Sequence, residues 1–428
     1  MSTAVLELND QALLIKASSG EVYSEPGFAL HTEQGIVSGI EARNQAWLQP
    51  QNVYRQYWHH LSQNPLRGNL RWARHHADIA FAQLKSLLGH AGQPEKLIIS
   101  VGANFDDQQL SLLLGLLSAI PTEVIAVVDS SLADCLNLSA DKQKILHIDL
   151  HLHQTVVSQI NCSGNSIEVA EQRLLGELGA LSTYALLANH IRDRLVATFR
   201  YDPMHSPQEE QAIYNLLPEW ILRVGQQSEC PISISSANGD LALTLHRQEL
   251  LDLMAPRLTE LSALLREMSD HAIHFSQQSR ILSVLTDKPD ASHHLQNTQG
   301  VDNCLHFISS LVDDSQGLQR ITSLQQIDGN RPRPAIQTNG PSTATHLLYK
   351  GQAWPLNQPL GIQIDNSRIA ISSADTNRAS LVLIVENQQL KVLQQTVDAV
   401  IELPPQARCG ENIIINAQRL ALIEVRNG

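Results

Sequence analysis

The chain has 428 residues, 43% of them hydrophobic, with 30 Lys and Arg against 43 Asp and Glu and a formal net charge of −13. At about 150 residues per domain this length predicts two or three cores, and the apolar fraction excludes bulk disorder. The acidic balance argues against nucleic acid and anionic membrane as partners, because both need a basic face. Five cysteines (Cys135, Cys162, Cys230, Cys304 and Cys409) are scattered, with no Cys-x-x-Cys pair. That pattern suits free thiols in a reducing compartment, not a disulfide scaffold or a structural zinc site. The opening MSTAVLELND has neither a basic start nor a long apolar run, so no signal peptide is expected. The most apolar stretch, 110–128, is broken by Pro121 and Glu123, so no spanning helix is expected either. The expectation is a soluble cytoplasmic protein.

In chain order, residues 5–8 and 12–17 read as apolar strands meeting at Asn9-Asp10. Ser18-Ser19-Gly20 makes the next turn, and Val22-Tyr23 leads to Pro26-Gly27. Residues 40–61 and 71–88 have helical spacing. The first carries Trp47, Tyr54, Tyr57 and Trp58, an aromatic set that reads as core packing before a ligand box. KLIISV at 96–101 reads as a buried strand, 106–117 as a helix opened by acidic residues, 124–128 as a second buried strand and 131–138 as a short helix. Strand, helix, strand, helix implies a parallel crossover in an α/β sheet.

Residues 145–160 alternate as one long strand that turns at 162–165 into 166–170. Helical pattern dominates 174–200 and 207–224. Ser206, Pro207 and Glu209 give the second of these a capped start. Residues 232–245 read as a hairpin around Asn238-Gly239, 248–283 as mostly helical and 281–285 as a strand. DGNRPRPAIQTNGPST, at 328–343, is rich in Pro, Gly and Asn and reads as a linker. Short strands fill 344–428, which predicts a small β-sandwich. No sequence repeat is visible.

Several segments, taken in order, resemble the heat-shock protein 70 and actin superfamily of ATPases. Pro26-Gly27 with Gly35 and Gly39 resembles the first phosphate hairpin and its succeeding segment. Ile98 to Phe105, ending in Gln108-Gln109-Leu110, resembles the strand-to-helix passage. Val127-Val128-Asp129-Ser130-Ser131-Leu132-Ala133 resembles the connecting segment, and 145–157 the second phosphate hairpin. Leu243 to Arg247, followed by Glu249, resembles a helix entry of the family.

The resemblance spans 1–327. It implies an α/β fold of two lobes, about 1–140 and 141–327, around a nucleotide cleft that takes ATP or ADP with Mg²⁺. It places catalytic carboxylates at Asp129 and Asp149, and nucleotide contacts at Asn9, Asp10, His151, His153 and Thr155. Residues 346–356, Gly410-Glu411 and 420–425 resemble a forkhead-associated β-domain.

The chemistry of that family needs glycines whose backbone N–H groups approach phosphate closely, and carboxylates that hold Mg²⁺ through water. Glu7-Leu8-Asn9-Asp10 has no glycine, and Asp10 would set an anion beside the phosphates. Leu150-His151-Leu152-His153-Gln154 has none either. No basic residue stands in 210–218, where the family clasps adenine, and Thr286-Asp287-Lys288-Pro289 replaces a glycine pair. Asp129 has two readings, a water-positioning carboxylate or an N-cap for the helix after it.

His147, Asp149, His151 and His153 alternate along one strand and so share a face. That is a polar cleft wall or, less simply, a metal site. A phosphothreonine reader needs a gripping Arg, yet the comparable place reads Gly361-Ile362-Gln363, with Arg368 and Ser372 displaced. The expectation is a regulatory or interaction protein with a degenerate nucleotide cleft, working through protein partners. The alternatives are an active ATP-driven switch using Asp149 and Asp129, and a metal-dependent enzyme centred on His147, His151 and His153.

Overall fold

The computed structural model describes residues 2–423 apart from 67–70, 138–143, 164–165, 237–238, 287–291, 295–297, 308–311, 313–317, 319, 325–344, 350–351, 357, 366–367, 373–378, 387–388, 397–400, 404–411 and 416–417. The chain is a mixed α/β protein that divides into two compact units, Met1–Arg331 and Pro332–Gly428. The linker reading at 328–343 and the Gly410-Glu411 cue of the C-terminal resemblance fall outside the described residues.

The first unit begins with an antiparallel meander of β1 (Thr3–Leu8), β2 (Leu13–Ala17) and β3 (Val22–Glu25). A small separate sheet comes next, made of β4 (Ala29–His31), β5 (Ile36–Ser38) and β6 (Val53–Tyr54), with the single turn α1 (Ile40–Arg43) between β5 and β6. After α2 (His76–His90), β7 (Lys96–Val101) pairs parallel with β1. Helix α3 (Asp107–Leu117) then crosses over to β8 (Glu123–Asp129), which lies parallel to β7. The Asp106 carboxylate accepts the Gln109 N–H at 2.8 Å while Gln109 accepts the Asp106 N–H at 3.1 Å, a reciprocal cap that fixes where α3 starts. Helix α4 (Ser130–Cys135) ends this half.

The plan then repeats. Strands β9 (Lys144–Leu150), β10 (Thr155–Ser163) and β11 (Ser166–Leu175) form a second antiparallel meander. Four helices come after it: α5 (Ala180–Phe199), α6 (Pro207–Gln226), α7 (Arg247–Met254) and α8 (Thr259–Glu267). The hairpin of β12 (Glu229–Ser236) and β13 (Gly239–His246) lies between α6 and α7. Next, β14 (Ala272–Phe275) pairs parallel with β9, and β15 (Ser292–His294), reached through α9 (Arg280–Leu285), pairs parallel with β14. The strand orders β8-β7-β1-β2-β3 and β15-β14-β9-β10-β11 are therefore the same, in a chain with no sequence repeat.

Helix α10 (Gln299–His306) returns to α4 and β1. Then β16 (Arg320–Ile321) adds to β8 and β17 (Ser323–Leu324) adds to β11, so five residues join the edges of both sheets. Val5, Ile98 and Val128 of the first sheet share one buried core with Ile145, Ile160 and Ile167 of the second.

The second unit is antiparallel throughout. Strands β18 (His346–Tyr349) and β19 (Gln352–Pro355) join β24 (Ile401–Glu402), β25 (Asn412–Ile415) and β26 (Gln418–Ile423) in one sheet. The other holds β20 (Leu360–Asp365), β21 (Arg368–Ser372), β22 (Leu381–Glu386) and β23 (Gln389–Gln395). Leu347, Ile413 and Leu422 of the first meet Leu360, Ile362 and Leu383 of the second in a single core.

Three sequence expectations are corrected. Residues 40–61 are not one helix, because Pro50 interrupts the run and its aromatic residues go to different partners. Trp47 stacks on Tyr214 at 3.8 Å, while Tyr57 and Trp58 are buried on Gln83. Residues 145–160 are two strands with a turn at 151–154, closed by His151 N–H to the Gln154 carbonyl at 2.8 Å. Residues 281–285 are helical. A short apolar run does not separate strand from helix, and here Gly225 of α6 leaves room for Val284.

Cys135, Cys162, Cys230 and Cys304 are buried, and of these Cys135, Cys230 and Cys304 are free thiols. Among the described residues no helix is long and apolar enough to cross a membrane.

Gln83, wholly buried on α2, is the polar hub of the first half. It accepts from Tyr57 Oη and Trp58 Nε1, and donates to Glu25 Oε1 at 2.7 Å and the Pro26 carbonyl at 3.0 Å. Gln83→Leu leaves the buried Tyr57 and Trp58 donors unsatisfied, while Glu25 Oε1 and the Pro26 carbonyl keep Ser38 and Phe28, and is expected to cost about 2–4 kcal/mol, read as a lower urea midpoint.

Candidate functional site

The turn between β1 and β2 meets the turn between β9 and β10. Asn9 Nδ2 donates to Asp149 Oδ1 at 2.9 Å and to the Leu150 carbonyl at 3.0 Å, and Gln11 Nε2 donates to the same carbonyl at 3.0 Å. In the reverse direction, Asp10 Oδ1 accepts the Leu152 backbone N–H at 2.7 Å. The two hairpins are thus zipped together by side chains, within a buried layer.

Local structure explains the placement. The Asp10 backbone is approached so closely by Pro26-Gly27 that a Cβ at Gly27 would lie 2.8 Å from the Asp10 carbonyl oxygen. On the other side, the first N–H groups of α5 donate to the second turn, Ala180 to the His151 carbonyl at 2.9 Å and Leu181 to the Leu152 carbonyl at 3.0 Å. Turn 151–154 has no turn-forming residue of its own, so these tertiary bonds supply what glycine would in a free hairpin.

His151 is the centre of charge. Its Nδ1 is 3.4 Å from Asp10 Oδ1 and its Nε2 is 3.2 Å from Asp149 Oδ2, contacts of charge in which neither ring nitrogen has an aligned hydrogen-bond partner. Burial opposes the imidazolium, but the two carboxylates outweigh it and push His151 up to about 10. Burial also opposes the Asp10 and Asp149 carboxylates. The His151 contacts, with the Leu152 N–H at Asp10, outweigh it and hold both below the usual carboxylate range. Glu7, on β1 behind them, is pushed well above that range by burial and by the Asp134 and Asp149 charges.

The remaining sequence candidates lie apart from the zip. Asp129 accepts the Ser131 N–H at 3.0 Å, the N-cap of α4, and also accepts Arg320 Nη2 at 2.6 Å and Gln172 Nε2 at 3.0 Å. Both its oxygens are thus engaged by the protein. Thr155 Oγ1 donates to the Leu178 carbonyl at 2.5 Å. His147 Nε2 pairs with Asp134 Oδ2 at 2.7 Å, and His153 Nε2 lies 2.8 Å from the Arg55 carbonyl with its ring beside His59.

The shared face expected of His147, Asp149, His151 and His153 is therefore corrected. The strand ends at Leu150, and the turn seats His151 between Asp10 and Asp149, whereas His147 faces Asp134 and His153 faces the Arg55 carbonyl. Among the described residues no three His, Cys, Asp or Glu side chains are placed to hold a metal ion. Glu7, Asp134 and Arg320 join these residues without being among the sequence candidates. Glu7 carries a sequence signal, an acid within the apolar strand TAVLEL, whereas Arg320 lies 191 positions from Asp129 and carries none.

These residues do not fit a magnesium-bound nucleotide. The Leu152 N–H is already taken by a carboxylate, the α5 amides are taken by carbonyls, and the buried acids repel phosphate. No protein-family model matches the chain, and no curated protein matches its sequence.

His151 is charged in the folded protein and titrates near 6.5 when unfolded. Its stabilisation is complete below that pH and is lost as pH rises toward about 10. The Asp10 and Asp149 contributions are present above their unfolded values and are lost in acid. The melting temperature of the native chain is expected to fall between pH 7 and about 10. In His151→Gln that alkaline slope should flatten, as thermal melts across pH would show.

Proposed function

We propose that residues 1–331 form a divergent heat-shock-70/actin-like domain whose phosphate position is filled by its own Asp10. The chain then serves as a regulatory or protein-interaction scaffold and not as an ATPase. The observation that carries this reading is the 2.7 Å contact of the Asp10 carboxylate with the Leu152 N–H, an anion from the chain itself where the family's second hairpin would meet phosphate. The repeated strand order supports the two-lobe part of the reading. The engagement of Asp129 by Ser131, Gln172 and Arg320 supports the loss of catalysis. The C-terminal unit, two antiparallel sheets on one core, suits a forkhead-associated-like interaction module.

Calorimetry of the full chain with Mg-ATP and Mg-ADP tests this, with Asp149→Ala as the control. The expected result is no saturable heat at millimolar nucleotide with either protein. Saturable binding to the native chain that disappears in Asp149→Ala would restore the ATP-switch reading.

A further inference from the structure

Above the zipped turns, beside α6, lies a cavity of about 170 Å³ lined by Gln11, Phe28, Arg43, Trp47, Tyr184 and Tyr214 with a few neighbours. Arg43 is its one charged lining residue among those described, and no carboxylate lines it. The Arg43 Nε is buried and has no hydrogen-bond partner. A guanidinium nitrogen withdrawn from water without an acceptor carries a desolvation cost that an anion would relieve.

The wall of this cavity is held in place before any ligand arrives. Trp47 and Tyr214 stack at 3.8 Å and 19°, with Arg55 over the Trp47 ring at 5.7 Å. Gln211 of α6 accepts the Trp47 N–H at 3.0 Å and donates to the Arg43 carbonyl at 3.2 Å, so the cation and the aromatic wall are tied to the same side chain. Tyr184 adds a phenol that burial keeps protonated, at about 12 even with Arg43 near it. Gln11 and Leu152, which belong to the zipped turns, close the floor. A space of about 170 Å³ admits a small compound.

We propose that this cavity binds a single-ring aromatic carboxylate, with its carboxylate on Arg43 and its ring against the Trp47–Tyr214 wall. A fixed cation gives orientation, because a planar guanidinium meets a carboxylate through paired N–H donors. The aromatic lining supplies the apolar contact usual for small-ligand sites. The inference goes beyond the scaffold reading and stands or falls separately, since its probes carry no phosphate.

The test is calorimetry of the full chain with benzoate and with benzamide, its uncharged counterpart. Benzoate is expected to bind saturably and at least tenfold more tightly than benzamide. Arg43→Gln, with an unchanged melting temperature, is expected to weaken benzoate at least tenfold and leave benzamide unaffected. Should Arg43→Gln misfold, the benzoate–benzamide ratio in the native chain decides alone. Absence of saturable benzoate binding at millimolar concentration overturns the proposal. So does equal affinity for the two probes, or tighter binding of adenosine than of benzoate.

Discussion

The Asp10 carboxylate reaches from the first hairpin turn to the second and takes the amide proton of Leu152. Around that bond the rest of the site is organised. His151 lies between Asp10 and Asp149 and balances them, while Asn9 and Gln11 take up the Leu150 carbonyl. A buried carboxylate is tolerable only when it is paired and hydrogen-bonded, and each member of this group supplies what another needs. Removing one partner would leave an uncompensated charge in a layer with little access to water, so the cluster holds as a unit.

The same contact gives the two halves of the first unit a fixed relation. Each half is a meander with two parallel strands added, and two such sheets could be joined by the covalent chain alone. Here they are joined at three further places. The hairpin turns are zipped, the apolar faces share a core, and Arg320–Leu324 adds a strand edge to each sheet. Arg320 then reaches Asp129 at the end of β8, so the returning segment also neutralises the acid that caps α4. Two sheets held at so many points keep a fixed relation to each other.

Much of the fold was legible in the sequence wherever local chemistry sets the element. The first meander is marked by Asn9-Asp10 and Ser18-Ser19-Gly20, and α3 by the acidic residues at its start, Asp106 and Asp107. The start of α6 is marked by Ser206, whose hydroxyl accepts the Glu209 N–H at 3.4 Å, with Pro207 at the first turn. The N-cap reading of Asp129 rests on the same kind of local signal. What was not legible depends on distant partners. The turn at 151–154 contains no Gly, Pro, Asn or Asp, and it is held by α5 and Asp10. The strand at Ala272–Phe275 is short and pairs through β9. The aromatic run near Trp47 and Tyr57 has helical spacing, yet it is divided by Pro50 and anchored to α6 and α2. Within the site, Asn9, Asp10, Asp149 and His151 converge, whereas His153 and Thr155 do not, because the strand they were placed on ends at Leu150.

Backbone hydrogen exchange at Leu152 in the full-length chain measures the central contact most directly. The account predicts slow exchange without any nucleotide, unchanged by millimolar Mg-ATP and accelerated in Asp10→Asn, whose amide is a weaker acceptor than the carboxylate. Rapid exchange in the native chain, with protection appearing only when Mg-ATP is added, would contradict it.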